Sequence, residues 1–212
     1  MRVVDAYLDA AGEAVTLLGS PEVAAAWPRP SALTGLTVGG LAGHLAHQLF
    51  STSDALAPTE APTEPPIPLL THYARATWID APLDGEANVG IRERSEGIGA
   101  EGPAFLAGTA GTVLSQQRAQ LPELPPDRPV LLPANGWALR LEDFLVTRLL
   151  ELAVHLDDLA VSVGHEEHRL SDAALDPVLA LLARLAARRH GGTALLRALT
   201  RVERAPSAIN AI

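Results

Sequence analysis

The chain has 212 residues, 48% of them hydrophobic and 19% charged, with a formal charge of -9 and no cysteine. That length suits one buried core, so one domain over 1–212 is the simplest expectation. The acidic balance argues against a nucleic-acid surface, and the absent cysteine removes disulfides, thiolate ligands and a cysteine nucleophile together. All 16 basic side chains are Arg, which also excludes a Schiff-base lysine. Aromatics are only 4% of the chain while Ala and Leu abound, a balance that favours helix. No charge-free apolar run reaches the roughly 18 residues of a membrane span. Acids interrupt the N-terminal MRVVDAYLDAAGEA where a signal peptide would be apolar, so a cytoplasmic protein with no membrane partner is expected.

Residues 3–18 place Val4, Leu8, Ala11, Val15 and Leu18 at helical spacing and predict the first helix. Gly19-Ser20-Pro21 stops it, and Ser20 before Pro21 reads as the cap of a short helical turn up to Trp27. After a loop, Thr37 is the cap of a second long helix, VGGLAGHLAHQLFSTSDAL, with Leu41, Leu45, Gln48 and Thr52 on one side. His44 borders that side, and His47 lies about 60° further round. Residues 58–68 hold five prolines and no helical period, as in an extended surface loop. A helix resumes near Leu69, and Asp84-Gly85 marks a turn. The stretch 86–121 is helical in pattern but should break near Gly97, Gly99 and Gly102-Pro103. A second proline-rich loop leads to PVLLPANGWALRLED, which fits at most one hairpin turning at Asn135-Gly136. Helices are expected from Leu141 to Gly164, from Asp172 to His190 behind a Ser171 cap, and from Thr193 to Arg204.

The helix over residues 144–164, FLVTRLLELAVHLDDLAVSVG, is apolar on nearly every side, as befits one inside a bundle. At 100° per residue, Leu145, Leu149, Leu152, Leu156 and Leu159 share an arc of about 80°. Phe144, Arg148, Glu151, His155 and Asp158 share the neighbouring one. Glu151 and His155, four residues apart, point the same way and can close on one cation. A divalent metal accepts carboxylate oxygen and imidazole nitrogen, and three protein ligands leave a position open for reaction. The third ligand should come from another helix; His44 is the first choice, His47 the alternate and His72 a distant third. The other histidines (His165, His168 and His190) read as surface or structural. The plainer reading of Glu151 and His155 is an ion pair, and Arg148 either salt-bridges Glu151 or Asp158 or anchors a substrate carboxylate. Phosphate-loop, dinucleotide, nucleophile-elbow and zincin motifs are all absent.

LTVGGLAGHLAHQ resembles the second-helix signature of the mycothiol-dependent maleylpyruvate isomerase N-terminal domain, within the DinB-like superfamily. RLLELAVHLDDLAVSVG resembles that family's metal-binding fourth helix, and RHGGTALLRALTRVERAP the closing segment of stand-alone members. The resemblance implies an all-α, DinB-like four-helix bundle, with extra short helices, around a divalent metal, often zinc. Its T-V-x-x-L-x-x-H pattern falls on Thr37, Val38, Leu41 and His44, and its E-x-x-x-H on Glu151 and His155, which implies His44, Glu151 and His155 as the metal ligands. Two positions depart from the signature: Leu36 stands where Trp is frequent, and Gly40 where an acid precedes the Leu. The full isomerase has a further C-terminal domain contributing to its active site, and the expectation here is a member without it. The function implied is a metal-dependent enzyme that uses a small thiol, by resemblance mycothiol, for S-transfer to, or isomerisation of, a small electrophile. The alternatives are a metal- or ligand-binding regulatory bundle without turnover, and a metal-free bundle with a structural Glu151–His155 pair. A homodimer is compatible with each.

Overall fold

Three helices begin where a side-chain oxygen takes up an amide that the first turn leaves free. Ser20 accepts from the Val23 amide to start α2 (Pro21–Ala26), Thr37 from Gly40 to start α3 (Val38–Leu56), and Ser171 from Ala174 to start α8 (Asp172–His190). In this computed structural model, which describes residues 2–57, 62, 64–79, 81–165 and 170–212, the remaining helices are α1 (Val3–Leu18), α4 (Leu69–Arg75), α5 (Glu86–Gly99), α6 (Pro103–Gln120), α7 (Leu141–Val163) and α9 (Gly192–Thr200). One antiparallel hairpin, β1 (Pro129–Leu132) with β2 (Trp137–Arg140), pairs Val130 with Leu139 and Leu132 with Trp137. The chain is thus all-α with a single small hairpin among the described residues. Five residues of the first proline-rich stretch (58–61 and 63) and His168 lie outside them.

Four helices make the bundle. α7 packs against both α1 and α3, and α6 closes the opposite side against the same two. The leucine arc of α7 is the centre of the core: Leu149, Leu152 and Leu159 are fully buried and Leu145 and Leu156 nearly so. Each contributes on the order of 2 kcal/mol through burial. α7 ends at Gly164, whose φ of 76° supplies the left-handed residue that closes a helix.

The break in 86–121 falls where the glycines predict it, after Gly99, with Gly102 at φ 87° turning the chain into Pro103 as the first residue of α6. Other boundaries differ from the sequence expectation. α4 stops at Arg75, leaving Trp78 outside it, and α9 stops at Thr200, with Val202–Arg204 a 3-10 turn. On α1, Ala11 and Leu18 are buried as the spacing predicts, together with Tyr7, Ala10, Ala14 and Leu17, while Val4, Leu8 and Val15 are only partly covered. Small side chains there let α1 approach its neighbours closely, and volume decides which side faces inward. No helix of the described residues is long and apolar enough to cross a membrane.

α5 lies along α3 at a glycine-lined contact. A Cβ on Gly43 would overlap the Ser95 carbonyl, and one on Gly99 would overlap the Gly39 carbonyl, so the two backbones touch because these positions carry no side chain. At Gly40 the space is taken by the Glu96 carboxylate, which accepts from the Thr37 amide at 2.7 Å and from the Thr37 hydroxyl at 2.9 Å. The first turn of α3 is therefore capped by its own threonine and by an acid reaching over from α5.

Candidate metal centre

The polar arc of α7 meets the His44 edge of α3 inside the bundle. Glu151 Oε2 lies 3.4 Å from His155 Nε2 and 3.5 Å from His44 Nε2. The two imidazoles stand edge to face, 4.4 Å between centroids and 88° between planes. One ligand atom from each of the three lies within 4.8 Å of the others, and among the described residues these form the group of histidines and acids that could share a metal ion. His47 and His72, the alternates weighed from spacing, do not join them.

Distance separates the competing accounts of this cluster. A charge-assisted N–H···O⁻ bond closes to about 2.8 Å. Two ligand atoms, each about 2.05 Å from a tetrahedral ion, sit about 3.3 Å apart. The observed 3.4 and 3.5 Å are nearer the second figure, and the remaining pair of ligand atoms lies within 4.8 Å. The site also has a built outer layer. His155 Nδ1 is 3.0 Å from Asp158 Oδ2, which accepts its proton, and His44 Nδ1 is 3.1 Å from Ser95 Oγ. Asp158, placed by spacing on the polar arc and within salt-bridge reach of Arg148, instead partners the imidazole one turn before it. Nothing in the sequence pattern marks Ser95.

Charge is strongly coupled here. Burial alone would push the Glu151 carboxyl up, yet the His155 and His44 rings beside it, with Arg148 nearby, hold it well below the usual carboxylate range. Burial would likewise lower His155, but Asp158 and Glu151 outweigh it and raise the imidazole to about 9. His47 moves the other way: burial, then the guanidinium groups of Arg94 and Arg148, bring it down to about 4, so it is neutral. His72 is also lowered, mainly by burial, and its Nδ1 accepts from Trp137 Nε1 at 3.2 Å.

The cluster opens into a cavity of about 450 Å³ whose wall includes Arg92, Arg94, Arg148, His47 and Trp78. Arg148 makes neither salt bridge expected from its helix neighbours. Its Nη1 donates to Gln48 Oε1 at 2.6 Å, its Nε to Thr147 Oγ1 at 3.2 Å, and its guanidinium lies over the Phe144 ring. Gln48 is in turn fixed by donating to the His44 carbonyl at 2.9 Å. Among the described residues no carboxylate lies within ion-pair distance of Arg92, Arg94 or Arg148. A protein of formal charge -9 thus lines this cavity with three cations. Of the remaining histidines, exposed His165 sits 3.4 Å from Glu22, and His190 is bonded to the Asn210 carbonyl at 2.8 Å.

The family model of the mycothiol maleylpyruvate isomerase N-terminal domain matches residues 8–160, a span that includes His44, Ser95, Glu151 and His155, and the chain belongs to that family. Searches of curated proteins and of solved structures found no match.

Proposed function

We propose that this protein is a divalent-metal-dependent enzyme that uses a small thiol, mycothiol by its family's name, for S-transfer to or isomerisation of a small electrophile. The observation that carries the reading is the convergence of His44 Nε2, Glu151 Oε2 and His155 Nε2 at ligand spacing on the wall of a cavity. Two imidazoles and one carboxylate are a donor set suited to zinc once His155 gives up its proton, and three protein ligands leave one position for a thiol. When bound, such a cation supplies the Lewis acidity that brings a thiol's pKa toward neutrality. With no cysteine in the chain, a thiol nucleophile has to arrive with a substrate.

The chain's own residues would then do the following. Glu151 and the two histidines present lone pairs in a fixed frame, held from outside by Asp158 and Ser95. Arg148 takes a carboxylate of the electrophile, its plane already set by Gln48 and Thr147, while Arg92 and Arg94 keep the cavity at a potential that draws anions in. The thiol releases its proton to solvent, and the thiolate attacks an electrophilic carbon to form a C–S bond. In S-transfer the leaving group departs with its bonding pair. In isomerisation, addition to a C=C bond gives a carbanion, rotation follows about what is now a single bond, and elimination restores the double bond and the thiolate.

Elemental analysis of protein purified without a metal-affinity tag tests the first half. About one equivalent of metal is expected, lost on His44→Ala; no metal in the wild type sinks the reading. Consumption of a thiol in the presence of maleylpyruvate, epoxides and chlorinated aromatics tests the second. A metal-loaded protein with no thiol consumption above background would be a binding module instead. Arg148→Met should raise KM for anionic electrophiles more than for neutral ones.

A further inference from the structure

We infer that Ser95 is a positioning residue for this centre, holding His44 as its Nδ1–H tautomer so that Nε2 faces Glu151 and His155 as a bare lone pair. The inference rests on the metal-centre reading and adds to it an outer residue supplied by a different helix.

The argument is a count of protons. Ser95 is 2% exposed, so no bulk water competes for its hydroxyl. That hydroxyl has one hydrogen, and it donates it to the Ile91 carbonyl one turn back at 2.7 Å. Toward His44 Nδ1, 3.1 Å away, Ser95 Oγ can then only accept. The proton of a neutral His44 therefore sits on Nδ1, and Nε2 has none. That bare nitrogen faces a carboxylate oxygen at 3.5 Å, two acceptors directed at one point, an arrangement that favours a cation between them.

The backbone explains how a serine from α5 reaches this ring. Gly43 and Gly99 let the two helices touch, and the residue whose carbonyl meets Gly43 is Ser95 itself. Its neighbour Glu96 holds the start of α3 through Thr37, so consecutive residues of α5 fix both the helix and the imidazole on it. His155 receives the equivalent service from Asp158 on its own helix. The two partners differ in kind: a carboxylate strengthens its imidazole as a ligand, whereas a neutral hydroxyl sets tautomer and ring angle without adding charge.

Nitrogen-15 NMR of the histidine rings in metal-free protein at mildly alkaline pH reads the tautomer directly, and zinc competition against a chelator reads affinity. Wild type should show His44 as a single Nδ1–H form. In Ser95→Ala the ring should populate both tautomers and zinc affinity should fall about 10- to 100-fold, while Ser95→Thr, which keeps the hydroxyl, restores both signals. A Ser95→Ala protein with the wild-type tautomer overturns the proposal whatever its affinity, because a loss of packing alone would not move that signal. If wild type binds no zinc, the metal reading fails, and the tautomer comparison still decides the role of Ser95.

Discussion

Two polar clusters are set into the same bundle, and they are completed differently. Around Gln117, buried between α1 and α3, each group meets a partner at ordinary distance. The Tyr7 hydroxyl donates to Gln117 Oε1 at 2.9 Å, and Gln117 Nε2 donates to the Leu49 carbonyl at 2.7 Å and Ser53 Oγ at 2.9 Å. Donors and acceptors balance, and both Tyr7 and Gln117 are fully buried. Around Glu151 the outer contacts are just as good, at 3.0 and 3.1 Å, but the inner ones stop at 3.4 and 3.5 Å around one carboxylate oxygen. A closed network holds a fold together. A network closed outside and open inside has room for a ligand.

The largest effect that could break this contrast is on metal. His155→Ala should weaken zinc binding by at least about 100-fold, close to 3 kcal/mol, because one of the three proposed ligands is gone. Gln117→Leu should leave zinc affinity as it was. Its cost appears instead in stability, about 2–3 kcal/mol by denaturant midpoint, since the Tyr7 hydroxyl and the Leu49 carbonyl lose a partner. Chelator competition and urea unfolding on both variants give a two-by-two comparison, and loss of zinc by the Gln117 variant would erase the distinction.

Next in size is the pH dependence of the metal-free protein. The His155 value is raised in the fold, so its contribution is complete below the ordinary imidazole value of about 6.5 and disappears as pH climbs through about 9. Unfolding stability of metal-free protein should therefore drop by about 2 kcal/mol across that window. Glu151, being depressed, gives a contribution present at neutral pH and lost in acid. Zinc must displace the His155 proton, so its affinity should rise up to tenfold per pH unit over the same alkaline window. Stability of the metal-free protein that is flat from pH 6.5 to 9 would contradict the coupled pair. The network around Gln117 contains no group that titrates in this range, and Gln117→Leu should shift the curve without changing its shape.

How much of this could be read from the residues follows the same division between local and distant. The α7 leucine arc, the Thr37 cap and the E-x-x-x-H pair are set by spacing within one helix, where geometry is fixed at 100° per residue. His44 stood out less clearly, because helix position ranked it only narrowly above His47. The misses at the site on Arg148 and Ser95 depend on neighbours far along the chain. Arg148 had acids within reach on its own helix, yet it reaches Gln48, 100 positions away. Ser95 looks like any polar residue of a weakly amphipathic helix until the glycine contact brings it under His44. That contact had a trace in the sequence: Gly39, Gly40 and Gly43 fall on one side of α3. In the sequence they read as unremarkable members of a helical run, whereas in the fold they are the surface on which α5 lies.

The smallest predicted effect concerns the edge of the open cluster, where Gly40 stands in place of the acid common in the family signature. Thr37 is the cap residue and Gly40 the third helical position, which is where a capping box puts its Glu. Glu96 supplies that carboxylate from α5, binding the Thr37 amide and hydroxyl in the space that Gly40 leaves. Glu96→Ala alone should cost about 1 kcal/mol, the ordinary worth of a cap. Gly40→Glu alone should cost at least as much, since its Cβ overlaps the Glu96 carboxylate and a second negative charge joins it. Together the two changes move the acid from α5 to α3, and the double variant should be more stable than the sum of the single losses by about 1 kcal/mol. Additive losses in that cycle would mean that the carboxylates are not interchangeable and that Glu96 does something other than capping. Zinc affinity of the double variant adds a second reading. Ser95 and His44 keep their bond if α5 is seated by the glycine contact, and lose it if Glu96 is what holds the helix down.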